Sequence, residues 1–205
     1  MQFIFDLDGT LLDSQSTVLD SLKYSIGKHA PSYLNKLHKG LIGPPILDLL
    51  GRIMSNKDLI SAISMEFRAH YDNKGVLETK LFPGVYQGLQ ELSKDNTILI
   101  STNKPLVPTK KILNLLKISG FICNAVTIDS GNFRNKSDIV KKILSKNNKS
   151  NSIVIGDSID DYESAKHNGI DFIYCSYGYG YVDCKSQSIA TVETSNALFR
   201  LLNRL

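Results

Sequence analysis

The chain is poor in cysteine, in long apolar runs and in excess charge, and each shortage removes a class of function. Its three cysteines, Cys123, Cys175 and Cys184, are odd in number and show no CxxC spacing. That count argues against a disulfide framework or a thiolate metal site and reads as reduced thiols in a cytoplasmic protein. No apolar stretch approaches the ~18–20 residues that cross a bilayer, so no membrane role is expected. The N-terminus enters a strand-like run at Gln2, with no basic region and no cleavage signal, so no leader is expected. The net charge of +4 suits a small anionic substrate and falls short of a nucleic-acid footprint.

What is present is the composition of an ordinary globular protein, 205 residues with 42% hydrophobic and 21% charged. Short β-branched or aromatic runs at 2–6, 96–102, 124–129, 152–157 and 171–176 read as strands. They are apolar nearly throughout, the pattern of strands covered on both faces in a parallel sheet. Helical periodicity lies between them at 84–94, 105–118, 136–147 and 159–168, the last closed by Asn168-Gly169. The alternation predicts a doubly wound α/β sheet. Residues 15–80 interrupt it with helical stretches at 15–29, 33–39, 45–54 and 56–73, punctuated by Gly40, Gly43, Pro44 and Pro45. The expected organisation is therefore a core of 1–14 and 81–205 with a helical insert of 15–80, re-entered at LFPGV (81–85).

Ligands of open parallel sheets bind beyond the carboxyl ends of the strands. The first strand there delivers Asp6 and Asp8 from FIFDLDGTLLDS. The second delivers Ser101, Thr102, Asn103 and Lys104, and the fourth delivers Asp157, followed by Asp160 and Asp161. Lys136 opens the helix before that fourth strand. Taken singly, each has an ordinary structural explanation: a turn after a strand, an N-cap, first-turn acids facing a helix dipole, a solvated lysine. Such acids, with a hydroxyl residue and a lysine, converging on one rim are another matter. Like charges repel, so the carboxylates call for a cation between them, and Mg²⁺ binds through few carboxylates plus water and phosphate oxygens.

The segments FDLDGTLLDS, LFPGV, STNKP, IGDSIDDYESAKHNGI and YGYG (177–180), in this order over nearly the whole chain, resemble the haloacid-dehalogenase superfamily of phosphatases. Within it the closest likeness is to the phosphoglycolate-phosphatase-like group with a helical cap. The resemblance implies a Rossmann-like core, a cap at 15–80, Mg²⁺ and an aspartyl-phosphate intermediate. It makes Asp6 the nucleophile and Asp8 the general acid/base, whose backbone carbonyl also reaches the metal. Thr102 and the backbone of Asn103 then hold the phosphoryl group, Lys136 stabilises charge, Asp157 binds metal directly and Asp161 supports it. Three features depart from the family pattern. Ser137 follows the lysine where proline is usual, Arg134 offers a rival cation, and Asp160 stands where asparagine is common, read here as an exposed first-turn acid.

Asp8 discriminates between chemistries. Expelling an alkoxide needs a proton donor and activating water needs a base, whereas expelling halide needs neither. The second aspartate thus favours phosphate chemistry on a small phosphorylated metabolite. A phosphomutase of the β-phosphoglucomutase kind is the alternative. Specificity is expected from the insert, where GLIGPPILDLL (40–50) and the cations Lys36, Lys39, Arg52 and Arg68 lie.

Overall fold

In the computed structural model, which describes residues 1–146, 151–180 and 188–205, Gln2–Phe5 forms the strand β1. It is paired in parallel on both sides, with β4 (Thr97–Thr102) and β6 (Ser152–Gly156). The other strands of this six-stranded parallel sheet are β5 (Asn124–Thr127), β7 (Asp171–Cys175) and β8 (Ala190–Val192), in the order β5-β4-β1-β6-β7-β8. The chain runs outward from β1 through β4 to β5, then returns to β1's other side to continue through β6. Strand order thus reverses at β1 and β6, and a crevice opens at such a switch point.

The apolar run Phe3-Ile4-Phe5 is buried on both faces, as the absence of alternation predicts. Ile4 packs with Leu99, Val154 and Phe172 against Ile139, Val140 and Ile143 of α7 (Lys136–Leu144) and Tyr162 of α8 (Ile159–Asn168). Phe5 points to the opposite layer and stacks on Phe199 of α9 (Ser195–Leu202), ring centroids 6.2 Å apart. α9 packs beside α5 (Val85–Leu92), and α6 (Leu106–Leu115) follows β4. As Asn168-Gly169 predicts, Gly169 closes α8 in the left-handed region at φ 61°. Asn135 caps α7 by accepting the amide of Asp138 at 3.1 Å. Residues 188–205 carry no strand or helix expectation; they supply the edge strand β8 and α9. The expected helix 136–147 is observed to Leu144, its last residue and Cys184 lying outside the described residues.

The chain divides into two compact units, Met1–Asp13 with Lys80–Leu205, and Ser14–Thr79. The first carries a small antiparallel pair, β2 (Leu12–Asp13) and β3 (Lys80–Leu81), which sets Asp13 directly opposite Lys80. Chain exit and return are therefore adjacent. The second unit packs α1 (Gln15–His29) against α3 (Lys57–His70), burying Leu22, Ile26, Ile63 and Phe67. α2 (Ile46–Ile53) adds Leu49 and Leu50. The expected helix at 33–39 is instead two 3-10 turns, Pro31–Lys36 and Lys39–Leu41, because Pro31 and Gly40 flank and interrupt it. The end of the 56–73 expectation widens into a π turn at Tyr71–Gly75 before α4 (Val76–Glu78). Thr79 turns back there, its hydroxyl donating to the Gly75 carbonyl at 2.8 Å.

Candidate active site

Asp6 follows β1 directly, and its amide donates to Ile155 of β6 at 2.9 Å, so the carboxylate leaves the sheet beside Asp157, which follows β6. Lys136, the first residue of α7, reaches in to meet it. The Lys136 ammonium lies 2.5 Å from Asp6 Oδ1 and 2.6 Å from Asp161 Oδ1, with all three side chains at most 8% exposed. Asp161 is set by its helix: its Oδ2 accepts from the amide and hydroxyl of Ser158 at 3.1 and 2.5 Å, a capping box that starts α8. Carboxylate oxygens of Asp6, Asp157 and Asp161 fall within 4.8 Å of one another, the one such cluster of metal-ligating side chains among the described residues.

The chain passes close against Asp157 at Gly9. Its φ of 87° turns the chain sharply after Asp8, and a Cβ there would fall on the Asp157 carboxylate. This turn also brings the Thr10 hydroxyl to 3.4 Å from Asp157 Oδ1. Asp8, on the same turn, is more open at 26% and is ion-paired with Lys104 at 3.0 Å. Thr102 ends β4 with its Oγ1 accepting the Lys104 amide at 3.1 Å. The Asn103 side chain donates to Asp160 Oδ2 at 2.9 Å. Asp160 is thus half-buried and engaged, not the exposed acid expected. Arg134, the rival cation, sits on the surface, its side chain 88% exposed and paired with Asp138. Lys36 holds the Ile53 carbonyl at the end of α2 at 3.3 Å.

Three buried carboxylates share one lysine, and the ionisation of the site reflects that imbalance. Burial raises the Asp6 carboxyl well above its usual range; Lys136 opposes the shift, and Asp161 and Asp157 add to it. Asp157 is pushed up to about 7 by burial and by Asp161, against the amides of Gly180 and Tyr179. Burial would depress Lys136, but Asp161 and Asp6 outweigh it and hold its pKa above the ordinary value. The donors are all hard oxygens and their negative charge is under-compensated, so the cluster fits a hard divalent cation.

That imbalance sets a stability signature. Without a cation, folded Asp157 keeps a proton up to about pH 7 that the unfolded chain loses near ~4. Stability contributed by this group therefore falls as pH rises between those values, because the native state binds more protons. In chelator, the melting temperature is expected to climb as pH is lowered from about 8 to about 5.5. A hard divalent cation held by the deprotonated cluster would raise it most at the alkaline end. Calorimetric melting across that range checks the sign; a chelated protein that melts higher at pH ~8 than at pH ~5.5 contradicts it.

Comparison with known proteins decides the kinship. The haloacid dehalogenase-like hydrolase profile matches residues 3–175. The chain belongs to the haloacid dehalogenase-like hydrolase family. A curated phosphoglycolate phosphatase from Agrobacterium fabrum is 28% identical over 191 residues, covering 86% of this chain and 80% of that protein. The tyrosine-protein kinase PtkA of Mycobacterium tuberculosis is 28% identical over 199 residues, 95% of this chain and 68% of that one. A haloacid dehalogenase-like hydrolase structure from Streptococcus pneumoniae superposes with a TM-score of 0.88 at 24% identity, covering 98% and 97% of the two chains, and shares the fold. This chain is thus an enzyme of a hydrolase family with that family's α/β core.

Three features of this cluster escape sequence reasoning. The Lys104–Asp8 pair, the Asn103–Asp160 bond and the amides of Tyr179 and Gly180 on Asp157 all join segments distant in sequence. Only the position of Lys104 at a strand end hints at the first.

Proposed function

We propose that this family member is a Mg²⁺-dependent phosphatase, acting in the cytoplasm on a small phosphorylated metabolite through an aspartyl-phosphate at Asp6. The observation that carries the reading is Lys136 bridging Asp6 and Asp161, with Asp157 in the same cluster, at the switch point of the sheet. The phosphatase name of the Agrobacterium relative supports it.

In this reading Asp6 and Asp157, with Asp161 beside them, hold the cation, which supplies Lewis-acid charge to a phosphate oxygen when bound. An oxygen of Asp6 bonds to phosphorus as the ester P–O bond breaks, and Asp8 gives its proton to the departing oxygen. Asp8, now a carboxylate, takes a proton from water as that water bonds to phosphorus and Asp6 is released. Lys104 beside Asp8 steadies the carboxylate between the two half-reactions. Lys136 offsets the charge that Asp6 and the phosphoryl group bring together. Thr102 and the Asn103 backbone are the phosphoryl contacts, and the Asp160 bond fixes how Asn103 lies.

A second reading, transfer to a hydroxyl other than water, draws on the relative named as a tyrosine-protein kinase and on the mutase alternative. It shares the first half-reaction and differs in the acceptor. Phosphate release measured over a panel of phosphorylated metabolites, with and without Mg²⁺, separates them when a tyrosine peptide and sugar-phosphate isomerisation are assayed alongside. Mg²⁺-dependent release without transfer is expected; transfer without release would overturn hydrolysis as the reaction. The Ser14–Thr79 unit is proposed as the cap that selects the leaving group. Because Asp13 lies opposite Lys80, a short turn joining them removes that unit. The shortened chain is expected to keep turnover of a small aryl phosphate and to lose its ranking of metabolites. An unchanged ranking would refute the assignment.

A further inference from the structure

We infer that Tyr177–Gly180 is the positioning element of the cation site, and that the Tyr177 hydroxyl governs how tightly the chain holds a divalent cation. The inference rests on the reading of Asp6 and Asp157 as cation ligands. After β7 the chain crosses the rim of the sheet and presses its backbone against Asp157. The amides of Tyr179 and Gly180 both donate to Asp157 Oδ2, at 2.9 and 2.8 Å. Among the described residues the other oxygen, Oδ1, has only the long Thr10 hydroxyl contact at 3.4 Å, so it is the one presented to a cation.

The segment is itself pinned. Tyr177 Oη donates to the Thr10 carbonyl at 2.7 Å, tying this loop to the turn that carries Asp6 and Asp8 on one side and Thr10 on the other. Its ring meets Phe82 edge-on at 5.1 Å between centroids. Tyr174 Oη reaches the Gly180 carbonyl at 3.3 Å. There is no room for slack: a Cβ on Gly178 would collide with Asp157 and the Gly9 carbonyl, and one on Gly180 with the Asp157 backbone. One tyrosine hydroxyl thus locks two strand-end segments into the register in which a pair of amides aims one carboxylate. Partners that orient a ligand from outside are typically worth about 10–100-fold in metal affinity.

Mg²⁺ titration calorimetry on the whole chain tests this directly. Tyr177→Phe keeps the ring and removes the hydroxyl; it is expected to weaken Mg²⁺ binding about tenfold or more. Tyr174→Phe, losing a longer bond, should weaken it less. Ser195→Ala, which breaks the 2.5 Å bond to the Pro83 carbonyl, should lower the melting temperature and leave Mg²⁺ affinity unchanged, which separates positioning from general stability. If Tyr177→Phe does not fold, Tyr174→Phe decides. Wild-type affinity in the tyrosine variants, with binding lost in Asp157→Asn, overturns the inference and leaves the cation ligands standing. Wild-type affinity in Asp157→Asn overturns the ligand assignment and the inference with it.

Discussion

Asp6→Asn is expected to abolish turnover, whereas Asp8→Asn is expected to slow it by ~10²–10⁴-fold. The two side chains are two residues apart but differently placed. Asp6, the proposed nucleophile, is buried against Lys136 at 2.5 Å. Asp8 stands more open on the Gly9 turn, paired with Lys104, and is the proposed acid and base. An amide at position 6 is a poor nucleophile and forms no mixed anhydride with phosphate. An amide at position 8 removes proton transfer from both half-reactions, and the loss depends on the leaving group. With p-nitrophenyl phosphate, whose leaving group departs without protonation, formation of the intermediate survives better than its hydrolysis. Rapid-quench kinetics should therefore show phosphoenzyme accumulating in Asp8→Asn and none in Asp6→Asn. Equal losses in both variants across good and poor leaving groups would contradict the division of labour.

Lys136→Met should be nearly as damaging to catalysis and more damaging to the fold. The side chain is 3% exposed and is the cation between Asp6 and Asp161, so methionine keeps its length and leaves the carboxylates facing each other. Removing one partner of a buried ion pair typically costs about 3–5 kcal/mol. The loss of fixed positive charge at the reacting centre costs on the order of 10²–10³-fold in rate. The pH dependence identifies the cause. Burial already raises the Asp6 carboxyl, with Lys136 opposing; without the lysine, protonation relieves the repulsion still more. The melting temperature of the variant in chelator should thus recover on acidification more steeply than that of the wild type. A variant that melts like wild type at pH ~8 would show that the ion pair is not what holds these acids.

Much of this site is written locally. Phe3-Ile4-Phe5 is a strand because both faces are covered, by α7 and α8 on the Ile4 side and α9 on the Phe5 side. The acids come at the carboxyl ends of β1 and β6, and Asn135 and Ser158 announce the helices that carry Lys136 and Asp161. What was not legible is register between remote segments. Nothing near Tyr177 says that its hydroxyl meets Thr10, 167 residues away, nor that the following amides seize Asp157. Lys136 and Arg134 are two cations of one short segment; Lys136 opens α7 and turns inward, whereas Arg134 precedes the helix cap and stays on the surface. Edge strand β8, three residues long, is too short for a pattern of its own and depends on β7 for its pairing.

The central claim is that Asp6 carries the phosphoryl group. Acid-quenched wild-type and Asp8→Asn enzyme, reacted with p-nitrophenyl phosphate and Mg²⁺, digested and analysed by mass spectrometry, tests it most directly. The account predicts one added phosphate on the peptide containing residue 6, lost on mild alkaline treatment and absent when Mg²⁺ is chelated. Phosphate on any other peptide, or on residue 6 in full measure without a divalent cation, would contradict it.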